Sequence, residues 1–259
     1  MKTSRQSVCG FTLIELLTVI AIVGILAAII IPTVGKARDT AQRAVDANNL
    51  RELGKAAMIY AADNRDALPN PVQSSRAIDG SNEAYWQWFG QLARYGGFND
   101  PALLVSKLDP AIDQTALPLT VLDPAVSSPP TLAAGLTALG TTSFNVVAGL
   151  RLNDPATTPL AFTRGLTTAG TWSNAGSSAD DPNRGVYAET GGHIVFLGGN
   201  VEFYPSIENA LISNTGRATS NLRQAVPHRT TGTAAVRILG QDSANGVATA
   251  NGTSAQTGP

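Results

Sequence analysis

Residues 11–31 form an apolar run with one charge in it, Glu15. At ~1.5 Å per helical residue, about 21 residues reach roughly 30 Å, the thickness of a bilayer's hydrocarbon core. Lys2 and Arg5 precede the run, and the next basic residue is Lys36. A basic flank ahead of an apolar span places residues 1–10 in the cytoplasm and the rest of the chain outside. A carboxylate at the edge of hydrocarbon is costly without a partner, and no Lys or Arg lies within the run to supply one. Cleavage between Gly10 and Phe11 would create one. The new α-amine would stand four residues before Glu15, about one helical turn away. It could pair with its own Glu15 or with Glu15 of a neighbouring chain, and the second pairing would be an assembly device. A secretory signal peptide, with Ala27-Ala28 as its small residues, and a plain membrane anchor are the simpler alternatives. Neither accounts for a Glu inside the run or for Gly-Phe at its edge.

The segment Gly10-Phe11-Thr12-Leu13-Ile14-Glu15 resembles the cleavage and methylation motif of type IV pilins and type II secretion pseudopilins. The resemblance covers about residues 5–68. It implies that a prepilin peptidase cuts between Gly10 and Phe11 and methylates Phe11, and that Glu15 acts in assembly. The implied fold is α+β and pilin-like: a long N-terminal α-helix packed on a small antiparallel β-sheet with long loops. The expected organisation is a leader over 1–10, a transmembrane half-helix over 11–31 and a soluble half-helix over 32–64. A globular periplasmic domain over 65–240 and a disordered polar tail over 241–259 complete it.

Pro32 follows the span and is expected to bend the helix, because it removes one backbone hydrogen bond. Residues 36–63 continue the helix, with Leu50, Leu53, Ala57 and Tyr60 spaced as an apolar stripe on which a domain can pack. Leu68-Pro69-Asn70-Pro71 prevents the helix from resuming. Within this region Asn49-Leu50-Arg51-Glu52-Leu53 and Tyr60-Ala61-Ala62-Asp63-Asn64 resemble the large pilin-like proteins of planctomycete and verrucomicrobial bacteria.

Residues 84–104 hold Tyr85, Trp86, Trp88, Phe89, Tyr95 and Phe98. They read as core against the helix stripe, with Gly96-Gly97 ending a short helix. Asp-Pro at 100, 109, 123, 154 and 181 punctuates an irregular stretch with turns. Ser143-Phe144-Asn145-Val146-Val147-Ala148-Gly149-Leu150 is its strand, while Ser127-Ser128-Pro129-Pro130 and residues 173–184 read as surface loops. Asp180, Asp181 and Asn183 supply oxygens of the kind calcium takes, but without the spacing of a known loop, so a solvated turn is the plainer reading.

His193-Ile194-Val195-Phe196-Leu197-Gly198-Gly199-Asn200-Val201-Glu202-Phe203-Tyr204 reads as a hairpin with Gly198-Gly199 as a two-residue turn. That register sets Phe196 opposite Val201 and Ile194 opposite Phe203, with these four on the core face. The hairpin resembles the C-terminal motif of the same bacterial branch, in which a His precedes an Asp-Gly turn. It departs by having Ala188, Gly198 and Asn200 where that motif has His, Asp and His. A strand fragment over Val236-Arg237-Ile238-Leu239 closes the folded part.

The chain has two histidines, His193 and His228, and one cysteine, Cys9, which would leave with the leader. No nucleophile elbow, phosphate loop or zinc-protease motif is present, and His193 reads as a surface residue; no enzyme is expected. Of the 18 basic residues, removal of Lys2 and Arg5 leaves 16 against 19 acidic ones, a balance near −3 that argues against a nucleic-acid partner. The function implied is that of a pseudopilin of a type II secretion-type pseudopilus. Its partners would be prepilin peptidase, other pilins or pseudopilins met through the N-terminal helix, and the inner membrane. The alternatives are a type IV pilin for adhesion, motility or DNA uptake, and a membrane-tethered binding protein that never assembles.

Overall fold

A computed structural model describes residues 12–71, 78–173, 184–229, 235–241 and 253–254. The chain divides into two compact units, residues 1–43 and 44–259. One helix, α1 (Leu13–Ala62), runs through the boundary.

In the first unit α1 carries Pro32 within the helix. In the following turn Thr33 Oγ1 donates to the carbonyls of Ile30 at 2.8 Å and Ile29 at 3.2 Å. Thirteen large aliphatic side chains over residues 13–31 are each at least half exposed. At ~1.5 kcal/mol per side chain, shielding them from water is worth on the order of 20 kcal/mol.

In the second unit the same helix becomes one-sided. Leu50, Leu53, Ala57 and Tyr60 are buried as the stripe predicts, joined by Ala56 and Ala61. Gly54 lies on this face too, and a Cβ there would come within 3.2 Å of Val195 Cγ2, so the helix backbone rides directly on the sheet. The helix stops where Asn64 turns back, its Nδ2 donating to the Tyr60 carbonyl at 2.5 Å. Arg65 and Asp66 then take left-handed conformations, with φ of 55° and 62°.

The second helix, α2 (Ala84–Tyr95), buries Tyr85, Trp86, Trp88 and Phe89, so the aromatic cluster is core as expected. It meets α1 through Tyr60, whose ring lies 6.1 Å from that of Tyr95 and whose hydroxyl donates to Gln91. Gly97, at φ +73°, turns the chain out of α2.

The strands are β1 (Leu122–Ser127), β2 (Pro130–Leu132), β3 (Phe144–Ala148), β4 (Pro159–Thr163), β5 (Gly192–Phe196), β6 (Val201–Tyr204), β7 (Leu211–Ile212), β8 (Ala218–Thr219), β9 (Arg237–Leu239) and β10 (Thr253–Ser254). Six of them form an antiparallel sheet in the order β10-β9-β3-β4-β5-β6; β1 with β2, and β7 with β8, make small hairpins. The fold is therefore α+β, a long N-terminal helix with an antiparallel sheet beyond it. Val146, Ala161 and Val195 align across β3, β4 and β5 on the face that meets Gly54.

Ser127-Ser128-Pro129-Pro130 is a surface turn, as expected, and it closes the β1–β2 hairpin. Three sequence expectations change. Phe144–Ala148 and Arg237–Leu239 are strands, but β4 lies between β3 and β5 in a stretch that reads as irregular. The β5–β6 register is one residue off the two-residue turn: Val195 pairs with Val201 and His193 with Phe203. Only Gly199 has positive φ (+87°), and a three-residue loop, Leu197 to Gly199, is closed by Phe196 N–H donating to Asn200 O at 3.0 Å. The bonds that select this loop come from elsewhere, because Leu197 and Gly198 N–H donate to the carbonyls of Thr158 and Ala156 at 2.8 Å. Val195, not Ile194, faces Gly54, and Trp172 covers the opposite face at Gly192. Finally, Thr253–Ser254 form a strand against β9, an ordered element inside the segment read as a polar tail.

Candidate functional site

The N-terminal motif is where chemistry is encoded. Gly10 and Phe11 lie outside the described residues. From Thr12 onward the chain enters the helix through a reciprocal cap. Thr12 N–H and Oγ1 both donate to Glu15 Oε2, at 2.9 and 2.6 Å, and Glu15 N–H donates to Thr12 Oγ1 at 3.3 Å. This is the Thr-x-x-Glu capping box, which satisfies donors that a helix start leaves without intrahelical partners. Glu15 therefore has a partner besides any new amine at Phe11. The nearer partner, Thr12, was signalled by the same four residues. Glu15 thus sits at the helix N-terminus, where the helix dipole favours a negative charge. Behind it residues 13–31 present aliphatic side chains all round, in a helix long and apolar enough to cross a membrane once.

Against known proteins, a family profile described as "Prokaryotic N-terminal methylation motif" matches residues 5–31. The match falls on the N-terminal segment and supports its resemblance to the type IV pilins and pseudopilins. The chain is similar to type II secretion system core protein G of Pseudomonas aeruginosa, 37% identical over 78 residues, covering 30% of this chain and 53% of that protein. It is also similar to the protein of the same name from Klebsiella michiganensis, 40% identical over 74 residues, covering 29% of this chain and 51% of that protein. The chain spans about half the length of these curated relatives. No solved structure matches.

Beyond the pilin-type segment, the second unit contains a buried polar network. Asp46, fully buried on α1, accepts hydrogen bonds at Oδ2 from Ser106 Oγ at 2.5 Å and the Tyr187 hydroxyl at 2.6 Å. The Tyr187 hydroxyl lies 3.4 Å from His193 Nδ1. The expectation of a surface His193 is therefore wrong: it is buried in β5, because that strand is covered on both faces. Next to this group, Arg164 and Asp109 form an ion pair at 2.7 Å with both side chains wholly buried. Ser143 Oγ donates to Asp109 Oδ2 at 2.7 Å and accepts from Ser106 N–H at 2.8 Å, joining the two clusters. All of these side chains are buried, and they tie α1 and β5 to the residues that flank β3 and β4. His228 is placed far from His193 in sequence and lines a separate surface cleft.

Among the described residues, no three His, Cys, Asp or Glu side chains come together as a metal site. Asp180, Asp181 and Asn183 lie outside the described residues.

Proposed function

We propose that this chain is a pseudopilin, a structural subunit of a type II secretion-type pseudopilus. In this reading prepilin peptidase cuts between Gly10 and Phe11 and methylates Phe11. The helix holds the subunit in the inner membrane, with residues 65–240 in the periplasm. Assembly then exchanges lipid for the helices of neighbouring subunits, and the Phe11 amine meets Glu15 of the next subunit. The role is structural and non-enzymatic. The observation that carries it is an all-round apolar helix opened by a Thr12–Glu15 cap, within the segment that matches the methylation motif.

In the cap, Glu15 Oε2 takes both Thr12 donors, and Oε1 accepts no hydrogen bond among the described residues. A neighbour's amine can therefore bind Oε1 without dismantling the helix start. The test is the intact mass of the chain recovered from its native membrane, with sequencing of its N-terminal peptide. A chain beginning at methylated Phe11 supports the reading. A chain that keeps Met1, or one cut near Ala28, overturns it. Glu15→Ala separates an assembling subunit from a tethered one: filament formation should be lost, and unchanged function would favour a protein that never assembles.

A further inference from the structure

Two surface clefts in the second unit share a wall made by Thr157 and Ile212. The first encloses about 390 Å³. It is lined by Pro155, Ile212, Ala225 and Pro227, with Ser213 and Asn214 among its polar residues. The second encloses about 210 Å³ and is bounded by Phe196, Asn200, Glu202 and Tyr204 on the β5–β6 hairpin. Ile212 is 41% exposed at the junction, an apolar side chain left in water between the two.

Among the described residues neither cleft is lined by a Lys or Arg, and Glu202 is the one carboxylate in either. It is held from both oxygens: Asn200 Nδ2 donates to Oε1 at 3.0 Å and the Tyr204 hydroxyl to Oε2 at 2.6 Å. Each carboxylate oxygen has two lone pairs, so each keeps one acceptor site. The Tyr204 phenol is pushed well above its usual range, first by burial and then by the hydrogen bond to Glu202 and its charge, so it stays a donor. Among the described residues no Lys or Arg pairs with Glu202. Arg229, one residue beyond His228, is already committed to Asp154 at 2.6 Å.

We propose that the joined clefts bind an extended polypeptide segment of a partner protein. An apolar side chain of that segment fills the space between Pro155, Ile212 and Pro227, and a Lys or Arg reaches Glu202. Charge complementarity selects the basic residue, since a positioned carboxylate that no described Lys or Arg pairs with is the recognition element. The hydroxyl of Ser213 and the amide of Asn214 suit peptide N–H and C=O groups. A sugar would need a flat aromatic platform, whereas Phe196 and Tyr204 meet edge to face, 6.3 Å apart at 74°. The cleft goes beyond the filament reading and does not rest on it: a chain that never assembles could still bind such a segment.

The test uses the full chain purified in detergent, with fluorescein-labelled synthetic peptides read by fluorescence polarisation. The probes carry one Leu and one Lys separated by a varied number of serines, with Glu-for-Lys and Ser-for-Leu controls. The best Lys peptide should bind roughly tenfold tighter than its Glu counterpart, the scale of one charge-assisted hydrogen bond. Glu202→Gln should remove that preference, and Ile212→Ser should weaken both peptides alike. Equal binding of Lys and Glu peptides, a preference that survives Glu202→Gln, or no binding by any Lys peptide would overturn the proposal. Because Glu202 is exposed, its variant should melt with the parent, which separates lost binding from lost fold.

Discussion

The buried pair Asp109–Arg164 predicts a large and asymmetric mutational effect. Arg164 has no exposed surface; Nη2 donates to Asp109 at 2.7 Å, Nη1 to the Thr142 carbonyl at 2.8 Å and Nε to the Arg184 carbonyl at 3.1 Å. Asp109→Ala leaves the neutral carbonyl contacts and removes the one carboxylate that meets the guanidinium among the described residues. It also strips the acceptor from Ser143 Oγ. Removing one partner of a buried pair costs about 3–5 kcal/mol, because the remaining charge is uncompensated. In a protein with about 5–15 kcal/mol of total stability that is a large share. For a domain of this size it corresponds to a fall in Tm of roughly 10 °C, at about 2–4 °C per kcal/mol. The double variant Asp109→Leu with Arg164→Met removes both charges and should recover most of the loss, since apolar groups of similar volume replace such pairs at little net cost. Trp86, Trp88 and Trp172 are all buried, so urea and thermal unfolding of the detergent-purified chain can be followed by tryptophan fluorescence. A loss below about 1 kcal/mol for Asp109→Ala would refute the reasoning, since that is the scale of a solvated surface pair.

The remaining predictions test register, packing and charge. Val195→Cys with Val201→Cys should form a disulfide on oxidation, because these residues pair directly next to the hydrogen-bonded Phe196 and Asn200; Phe196→Cys with Val201→Cys, the two-residue-turn pairing, should not. Gly54→Leu should cost about 1–3 kcal/mol by overpacking, because its Cβ alone would stand 3.2 Å from Val195 Cγ2; denaturant midpoints check this. Tyr204 has a folded-state pKa above its unfolded value of about 10, so its contribution to stability is complete below that pH and fades as pH rises through the folded value. Tyr204→Phe should therefore lose less stability than the parent as the pH is raised above about 10, measured by paired melts.

What could be read from the sequence divides along physical lines. Leu50, Leu53, Ala57 and Tyr60 were legible because a helical period needs only local spacing, and Phe144–Ala148 because a short apolar run stands between turns. The β5–β6 hairpin was legible as an element, but its register was not. Gly198-Gly199 permits more than one loop, and the deciding bonds come from Ala156 and Thr158, some forty residues upstream. The central strand β4 gave no alternation because all five of its residues are buried, and it opens on a proline. Asp46, Asp109 and Arg164 have the residue types of a solvated surface; only the tertiary packing shows that they are partners. At the N-terminus the motif Gly10, Phe11 and Glu15 was plain, and the Thr12 cap was readable by the ordinary rule for helix starts.

The place of β9 in the sheet has a consequence for the order of folding. Strands β3 to β6 follow one another in the chain, whereas β9 returns from Leu239 to pair with Val146 on the far side of β3. Until residues 237–239 have been synthesised, β3 keeps an unpaired backbone edge along Phe144-Asn145-Val146-Val147-Ala148. Such an apolar edge is a template for pairing with any other extended chain. A nascent or truncated chain that lacks β9 should therefore be held by chaperones or aggregate, while completion of those three residues closes the edge.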